Sequence, residues 1–386
     1  MARRGHGEGS IYKREDGRWT AQITVGPGQR RYMYGKTRHE VQEQLTAALR
    51  NQDLGMLATG PNQTVGQYLE RWLKDVAKPG VRPRTFIRYQ QLIMSHAIPL
   101  LGRRPLPKLM PQDLQTLYAA KTNEGLAPRT VGHIHRVLHR ALGDAVRWGL
   151  VPRNVCDAVA PPRVVKKEMR SLTIEESRKL LAAAGEDPLE ALYYLALTSG
   201  MRQGELLGLK WQDIDWVSGK LQVKRSIARV TGQGFVEMEP KSAKSRRSLT
   251  LAVIAVGALK RHRARQFEAR LLVGSEWNDR DFVFCNALGR PLEPQNILRR
   301  SFVPLLEKAG LPRVRFHDLR HTAASLLLAL GENPKIVQEI LGHSQISLTL
   351  DTYSHVLPTL QAEAIQRLNA LLEDQSKPTP SAYSGQ

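Results

Sequence analysis

Two breaks rich in proline and glycine divide this sequence into parts that have different hydrophobic patterns. The first break is Gly60-Pro61-Asn62, and the second is the basic, proline-rich run that begins at Ala160. A chain of 386 residues is too long for one compact core, so two or three domains are expected. The breaks predict domains at residues 1–57, 62–160 and 170–374, followed by a tail at 375–386 that is rich in Ser, Pro and Gly and expected to be disordered.

The first segment has the pattern of a small α+β domain. Its strand-like runs are separated by turn residues, and Asp16-Gly17 between two of them is a strong hairpin signal. A helix is predicted from about Arg38, because apolar residues then recur at helical spacing. The predicted strands are Ser10–Lys13, Arg18–Val25 and Arg30–Tyr34. Such a module either lays its sheet on DNA or serves only as a solubilising extension.

The second segment is predicted to be wholly helical, with helices at Thr64–Lys78, Pro83–Ala97, Pro111–Lys121 and Pro128–Trp148. At 100° per residue, four arginines of the last helix fall within about 20° of one direction, and apolar residues point the other way. These arginines are Arg129, Arg136, Arg140 and Arg147. A row of planar guanidinium groups suits a row of DNA phosphates. The alternative is a solvated face that binds nothing.

The third segment is expected to be a mainly helical domain with a small antiparallel sheet. Thr173 followed by Glu176 has the form of a capping box, and the apolar run Leu189–Ser199 predicts a buried helix. Three strands are predicted near Lys220–Arg225, Gly234–Glu239 and Ser245–Leu251, and helices at about 252–270, 294–309, 317–330, 334–341, 346–356 and 359–373. The whole chain is therefore predicted to have a multidomain α+β fold.

Charge narrows the class of partner. Lys and Arg number 57 against 36 acidic residues, a formal net charge of +21 at pH 7. An excess of this size favours a polyanion such as nucleic acid. A membrane is the poorer candidate, because no apolar run approaches the roughly 20 residues of a spanning helix, and the N-terminus lacks the features of a secretory signal. Two cysteines are too few for a disulfide framework, so a reducing cytoplasm is expected.

Several polar residues lie where a helical core has little use for them. Arg202 and Glu205 are three residues apart, just after the glycine that ends the buried helix, and share one face of the next helix. His317 and Arg320 have the same spacing at the start of an Ala- and Leu-rich helix. Two further residues follow, His343 in the sequence Leu-Gly-His and, ten residues later, Tyr353.

These residues resemble the complete catalytic set of the tyrosine recombinases, the phage-integrase family, in the family's order and at similar spacing. The string His317-Asp318-Leu319-Arg320-His321-Thr322 followed by Tyr353-Ser354-His355 is specific, and Arg202-Gln203-Gly204-Glu205 upstream strengthens the match. By this resemblance the catalytic residues are Arg202, Lys241, His317, Arg320, His343 and the nucleophile Tyr353, with Glu205 in support.

The resemblance implies that DNA is cut and rejoined without a metal or any other cofactor. The two arginines would clamp the non-bridging phosphate oxygens, and the Tyr353 hydroxyl would form a covalent 3′-phosphotyrosine. The leaving 5′-oxygen needs a proton from Lys241, and Lys244 in the same basic turn is the alternative donor. His317 is the expected base for the tyrosine, and His343 is expected to donate to a phosphate oxygen.

The resemblance covers nearly the whole chain and gives each segment a role. It implies an arm-type DNA-binding domain as in lambda- and Tn916-type integrases, then a helical SAM-like core-binding domain, then the catalytic domain. The implied partners are double-stranded DNA at core and arm attachment sites, further copies in a homo-tetramer, and a host DNA-bending protein or an excisionase. The implied location is the bacterial nucleoid. An apolar stripe in the last helix is expected to dock on a neighbouring protomer, and it comprises Leu360, Ile365, Leu368 and Leu372.

Two alternative functions stay open at this point, besides the expected integration and excision of a mobile element. A type IB topoisomerase uses similar chemistry but relaxes supercoils alone, and a DNA-binding regulator would need none of the catalytic residues. Single residues also have structural interpretations. Arg202 could serve only as an ion-pair partner of Glu205, His343 only as a helix cap, and His317 with His321 as a metal pair. Asn154-Val155, where the family often has Asn-Pro, affects only a linker turn.

Overall fold

A computed structural model gives the fold, and its residues fall in two compact units, 1–166 and 167–386. The described residues are 9–26, 29–53, 63–165, 170–230, 232, 234–239, 246–343, 345, 346, 350, 365, 366, 368–370 and 372. The tail predicted at 375–386 lies outside them. Within this described part of the chain, every helix is too short or too polar to cross a membrane.

The first described element is a three-stranded antiparallel sheet that packs on one helix. It comprises β1 (Ser10–Lys13), β2 (Trp19–Gly26), β3 (Gln29–Gly35) and α1 (Arg38–Asp53), in the sheet order β1-β2-β3. Gly17 turns the chain between β1 and β2 with φ +80°, a conformation that glycine adopts freely. Ala21 and Ile23 of β2 pack against Val41 and Leu45 of α1. The three strands and the helix predicted from the sequence are confirmed.

The opposite face of this sheet is open and aromatic. Thr20 on the central strand pairs with Tyr12 on one side and with Tyr34 on the other. Both tyrosines are exposed, as is Tyr32, which lies two residues from Tyr34 and so points to the same face. The guanidinium of Arg14 lies 5.9 Å from the centroid of the Tyr34 ring. This face therefore combines aromatic rings with positive charge.

The second part of the first unit is a group of helices around a core of its own. Its main helices are α2 (Val65–Trp72), α3 (Pro83–Leu92), α4 (Pro111–Asn123) and α5 (Pro128–Arg147). All four were predicted. The sequence did not reveal that α2 and α3 run on through π-helical turns at Leu73–Ala77 and Ile93–Ala97 and then through the short helices Lys78–Gly80 and Ile98–Leu101.

Hydrogen bonds from α2 fix the orientation of α5. The buried indole of Trp72 donates to the Asp144 carboxylate at 2.6 Å, and the Tyr68 hydroxyl donates to the carbonyl of Ala141. The apolar residues that were predicted to face the core are buried, namely Val131, Ile134, Leu138, Ala141 and Ala145. The arginine side of α5 consequently points away from this core.

The second unit is mainly helical and is built around a buried central helix. Its main helices are α6 (Ile174–Ala184), α7 (Glu190–Ser199), α8 (Gln203–Leu207), α9 (Val253–Val273), α10 (Val303–Lys308), α11 (Asp318–Ala329) and α12 (Pro334–Leu341), with a short helix Pro294–Ile297 and a π-helical turn Leu298–Phe302 before α10. α7 is almost entirely buried, as predicted. The capping box is confirmed, because the Thr173 hydroxyl accepts from the Glu176 N–H and the Glu176 carboxylate accepts from the Thr173 N–H.

Two small antiparallel sheets complete this unit. One has the order β4-β5-β8, with β4 at Ile214–Asp215, β5 at Lys220–Val223 and β8 at Arg247–Thr250, and the other pairs β6 (Ser226–Val230) with β7 (Gly234–Met238). The sequence predicted three strands, so β4 and β6 were missed. β5 also ends two residues before the predicted end at Arg225, because Arg225 turns to pair with the buried carboxylate of Asp213. The multidomain α+β fold class is confirmed.

Candidate active site

The end of α7 positions the first candidate arginine. Gly200 ends this helix with φ +59°, and a Cβ at that position would lie only 2.6 Å from the side chain of Leu341. The close approach of the two segments therefore requires glycine. The chain continues through Arg202 into α8, where the Glu205 carboxylate accepts from the Arg202 backbone N–H at 3.1 Å and from its guanidinium at 2.7 Å. Glu205 thereby holds Arg202 by both main chain and side chain.

The first turn of α11 carries the second candidate arginine. The Arg320 side chain is buried, and its guanidinium donates to the carbonyl oxygens of Gly200 and Leu341, both at 2.7 Å. Arg202 reaches the same turn, where its guanidinium donates to the carbonyl of Gly342 at 3.3 Å. The structure therefore brings the two predicted arginines together at the junction of α7, α11 and α12.

Main-chain oxygens anchor Arg320 without cancelling its charge. A buried guanidinium needs hydrogen-bond partners, and carbonyl oxygens supply them while bringing no formal negative charge. Arg202 is paired with Glu205, but 38% of its side chain stays exposed to solvent. Two guanidinium groups fixed in this way are suited to receive an anion with several oxygens, such as a phosphate.

Three histidines surround the arginines. His317 immediately precedes α11, and its ring meets that of His321 edge to face at 5.2 Å. Desolvation, followed by the positive charge of Arg320, lowers the pKa of His317. Desolvation and then the charges of Arg320 and Arg202 lower the pKa of His343 to about 4. Each of these two imidazoles is thus uncharged at pH 7, in the form that accepts a proton at one nitrogen and donates a hydrogen bond from the other.

His343 lies just beyond α12 at the edge of a cleft. Its backbone N–H donates to the carbonyl of Gln338 at 3.1 Å, and the Gln338 side-chain amide donates to the His343 carbonyl at 3.1 Å. The cleft has a volume of about 550 Å³ and is lined mainly by residues of β8 and α12 together with Gly342 and His343. The site is therefore open to a ligand on the side of His343.

Sequence reasoning missed one residue of this site, Arg247 at the start of β8. Only 6% of its side chain is exposed, and its guanidinium donates to the Glu205 carboxylate at 3.0 Å and to the carbonyl of Ile340 at 2.7 Å. The neighbouring Arg246 is 60% exposed and pairs with Glu239 at 2.9 Å. Nothing in the basic run that contains both arginines distinguishes the buried one.

The charge of Glu205 follows from these two arginines. Burial alone would raise the pKa of its carboxyl group, but the positive charges of Arg247 and Arg202 outweigh that effect and lower it. Glu205 is therefore ionised at neutral pH and holds both guanidinium groups. Among the described residues, no three His, Cys, Asp or Glu side chains are grouped in a way that could hold a metal ion.

Three of the candidate residues lie outside the described residues. They are Lys241 and its alternative Lys244, in the connection between β7 and β8, and Tyr353, ten residues beyond His343. The catalytic and supporting candidates that the structure does describe lie close enough to interact through the hydrogen bonds and charges described above. These are Arg202, Glu205, His317, Arg320 and His343.

The four arginines predicted to contact DNA lie in the first unit, on α5. All of them are exposed, and they are Arg129, Arg136, Arg140 and Arg147. Arg140 lies over the ring of Tyr89, 5.8 Å from its centroid, and Arg147 pairs with Asp144. The face is therefore positively charged and accessible, which is what contact with a phosphate backbone requires.

Comparison with known families gives two matches along the chain. The family described as "Phage integrase family" matches residues 170–359, and the one described as "Phage integrase, N-terminal SAM-like domain" matches residues 64–121. The first range includes every candidate catalytic residue. The second covers α2 to α4 and ends before the arginine face of α5.

Individual relatives and solved structures agree with these matches. A "Tyrosine recombinase XerC-like" protein of Caldanaerobacter subterraneus subsp. tengcongensis is 31% identical over 90% of this chain and 95% of its own length. An integrase of the Tn1549 transposon, solved in complex with transposon right end DNA, has a TM-score of 0.69 and 22% identity over 80% of this chain and 100% of that chain. A lambda integrase tetramer bound to a Holliday junction has a TM-score of 0.53 and 20% identity over 87% of this chain and 96% of that chain.

Proposed function

Because this chain belongs to the phage integrase family of tyrosine recombinases, we propose that it integrates and excises a mobile element by cutting and rejoining DNA at specific sites. The observation that carries this proposal is the pair of arginines, Arg202 and Arg320, held by the backbone of the turns at Gly200 and Leu341–Gly342. The Tn1549 relative, which was solved with transposon DNA, supports the mobile element as substrate.

The proposed reaction is a transesterification at phosphorus. The Tyr353 hydroxyl attacks the scissile phosphate and passes its proton to His317, while the bond to the 5′-oxygen breaks. That oxygen takes a proton from Lys241, with Lys244 as the alternative donor. The product is a 3′-phosphotyrosine and a free 5′-hydroxyl. The 5′-hydroxyl of another strand then attacks the phosphotyrosine and releases Tyr353, so the phosphoester bond is exchanged and none is consumed.

The described residues suit the charge that develops in this reaction. Negative charge grows on the non-bridging oxygens in the transition state, and preorganised donors stabilise it most where water is excluded. Arg202 and Arg320 can each donate to those oxygens. His343, whose pKa of about 4 leaves it uncharged at neutral pH, can donate a further hydrogen bond from its ring N–H. The lowered pKa of His317 fits a group that must be free to accept a proton.

The remaining DNA contacts are assigned to the first unit. We propose that α5 lays its four arginines along the backbone of the core site, a contact that positions the protein without reading sequence. We assign the arm site to the open face of the β1-β2-β3 sheet. There Tyr12, Tyr32 and Tyr34 offer hydroxyl groups and rings, and Arg14 adds positive charge.

The proposed active assembly is a homo-tetramer on two DNA sites. The similar fold of the lambda integrase tetramer on a Holliday junction supports it. Three residues of the predicted apolar stripe, Ile365, Leu368 and Leu372, are exposed in the single chain and therefore available to a neighbouring copy. A chain that holds arm and core DNA together also needs bent DNA between them, so a host DNA-bending protein or an excisionase is part of the proposal.

The test is a denaturing gel after incubation with nicked duplexes drawn from DNA that flanks the gene. A nick beside the scissile phosphate lets the 5′-hydroxyl fragment diffuse away and traps the covalent intermediate. The wild type should give a slow-migrating, protease-sensitive adduct. Tyr353→Phe should give none, whereas the control Tyr194→Phe, altered in the same unit, should react normally.

Each other result contradicts part of the proposal. An adduct with Tyr353→Phe would make another tyrosine the nucleophile. Binding without an adduct, on duplexes selected for binding from a random pool, would favour the regulator. Relaxation of supercoiled plasmids that lack a binding site, without joining of two duplexes, would favour the topoisomerase.

A further inference from the structure

Arg247 is buried and bonded to the carboxylate that also holds the candidate catalytic Arg202, yet the proposed reaction gives it no role. We infer that Arg247 is a positioning residue that holds the Arg202–Arg320 pair in the arrangement required to clamp the phosphate. This inference rests on the proposed function. Arg247 acts through other residues, because its guanidinium donates to the Glu205 carboxylate that holds Arg202 and to the Ile340 carbonyl beside the turn that holds Arg320.

The first link runs from Arg247 through Glu205 to Arg202. Both arginines bond to the Glu205 carboxylate. Oε1 accepts from the Arg202 guanidinium at 2.7 Å, and Oε2 accepts from Arg247 at 3.0 Å and from the Arg202 backbone N–H at 3.1 Å. A carboxylate shared in this way cannot rotate toward one arginine without weakening its bond to the other. Arg247 and the Arg202 backbone N–H therefore together fix the plane of the carboxylate that orients the Arg202 guanidinium.

The second link runs from Arg247 to the end of α12. Its Nε donates to the Ile340 carbonyl at 2.7 Å, and the next two carbonyls along the chain, those of Leu341 and Gly342, hold Arg320 and Arg202. Three successive main-chain oxygens are thus each bonded to a guanidinium. A shift of the Ile340 carbonyl would displace the two anchors that follow it.

Arg247 also packs against the turn at Gly342, whose carbonyl accepts from the Arg202 guanidinium. A Cβ at Gly342 would lie 3.0 Å from Nη1 of Arg247, so the turn packs closely on the guanidinium and a side chain there would push it aside. Gly342 also has φ +66°, which glycine adopts at no steric cost. Arg247 thus supports the turn by packing against it as well as by its hydrogen bond.

Only arginine satisfies both links at once. Its planar guanidinium presents Nε and Nη donors in fixed directions, which here reach a carboxylate and a carbonyl on different elements. Lysine would retain the charge but would offer one ammonium group for both acceptors. We therefore expect Arg247→Lys to keep the fold and to lose part of the positioning, and Arg247→Met to lose all of it.

The test compares two scissile groups in the nicked-duplex assay, an ordinary phosphodiester and a methylphosphonate in which one charged oxygen is replaced by a methyl group. The methylphosphonate develops less negative charge, so it depends less on the arginine clamp. On the phosphodiester we expect Arg247→Met to slow adduct formation by about 100-fold, the effect of a misplacement of about 1 Å in a group that must be precisely oriented. On the methylphosphonate the ratio of variant to wild-type rates should be much closer to one.

Two controls distinguish a displaced arginine pair from a general loss of positive charge and from a loss of folded protein. Arg229→Met removes an exposed arginine of β6 that pairs with Glu293, and it should react like the wild type on both substrates. The double variant Arg247→Met/Glu205→Gln removes the buried carboxylate charge together with its partner. It provides a folded comparison if Arg247→Met melts early, and it should show the same preference for the methylphosphonate.

Three results would overturn the inference. One is an unchanged rate for Arg247→Met on the phosphodiester. Another is an equal loss in the rate of adduct formation on both substrates, in variants that melt at the same temperature as the wild type. The third is recovery on a 5′-phosphorothiolate, whose thiolate leaves without a proton, because this would assign Arg247 to the leaving group. A wild type that forms no adduct on either substrate would instead contradict the proposed function itself.

Discussion

Arg320→Lys tests whether the Arg202–Arg320 pair depends on the hydrogen bonds between Arg320 and main-chain oxygens. The substitution keeps the positive charge and changes the geometry of the donors. In the structure, Nη1 of Arg320 donates to the Gly200 carbonyl and Nη2 donates to the Leu341 carbonyl, each at 2.7 Å. A lysine at this position has one ammonium group on a buried stem. It can bond to one carbonyl, and the other, which belongs to a buried residue, then loses its partner.

The expected loss of stability follows from that orphaned oxygen. A buried acceptor left without a partner costs about 1–3 kcal/mol. In a unit of about 200 residues, each kcal/mol lowers the melting temperature by about 2–4 °C, so we expect a fall of about 2–12 °C. The loss of activity should be larger, because one of the two donors to the non-bridging oxygens is displaced. Removal of a single preorganised donor slows comparable reactions by about 10²- to 10³-fold.

The assay measures single-turnover adduct formation on a nicked duplex, well below the melting temperature of the variant, together with a thermal melt. Arg315→Lys is the matched control, since Arg315 lies just before the same helix and is exposed while it pairs with Asp318 at 2.7 Å. The control should change neither quantity appreciably. An Arg320→Lys rate within a few-fold of the wild type would refute the argument that the guanidinium geometry matters, whatever the melt shows.

Two other predictions concern DNA affinity and pH. Arg136→Ala with Arg140→Ala should weaken binding to all duplexes and reduce the slope of log K against log salt by about 0.9 for each phosphate that the protein no longer neutralises. A slope equal to that of the wild type, measured by fluorescence anisotropy, would show that this face of α5 does not contact DNA. Desolvation and then the charge of His317 lower the pKa of His321 to about 4. The folded protein therefore binds fewer protons at this residue than the unfolded chain does, so the free energy of unfolding should fall as pH drops from about 6.5 toward 4. His321→Gln should flatten the curve of melting temperature against pH in that window, and an unaltered curve would exclude this histidine as its source.

The sequence predicted the described helices well because each of them has a strong local pattern, whereas the helices predicted at about 346–356 and 359–373 lie mostly outside the described residues. α5 has buried residues at helical spacing, and α7 is almost wholly apolar. The π-helical turns were not predicted, because no local sequence signal distinguishes an i→i+5 turn from the α-helix on either side of it. β6 escaped because its run is short and lies beside two basic residues. One of these, Arg225, breaks the strand through an ion pair with Asp213, twelve residues away, which no local pattern encodes.

The candidate site was predictable to the extent that its residues come in short, distinctive strings. Arg202 with Glu205 and His317 with Arg320 could be picked out because charged side chains interrupt apolar helices. Arg247 could not, because it belongs to a run of basic residues in which every position has the same chemistry. Burial separates it from Arg246, and burial depends on where β8 pairs with β5 and where the end of α12 rests.

The anchoring of Arg320 on main-chain oxygens has a consequence for how this protein tolerates mutation. Every residue contributes the same carbonyl, so a change of side chain at position 341 leaves that hydrogen-bond acceptor in place. Only substitutions that move the backbone, such as any residue larger than glycine at position 200, reach the anchor. Side chains can therefore vary only where the backbone of these turns keeps its path, and the guanidinium then keeps its place.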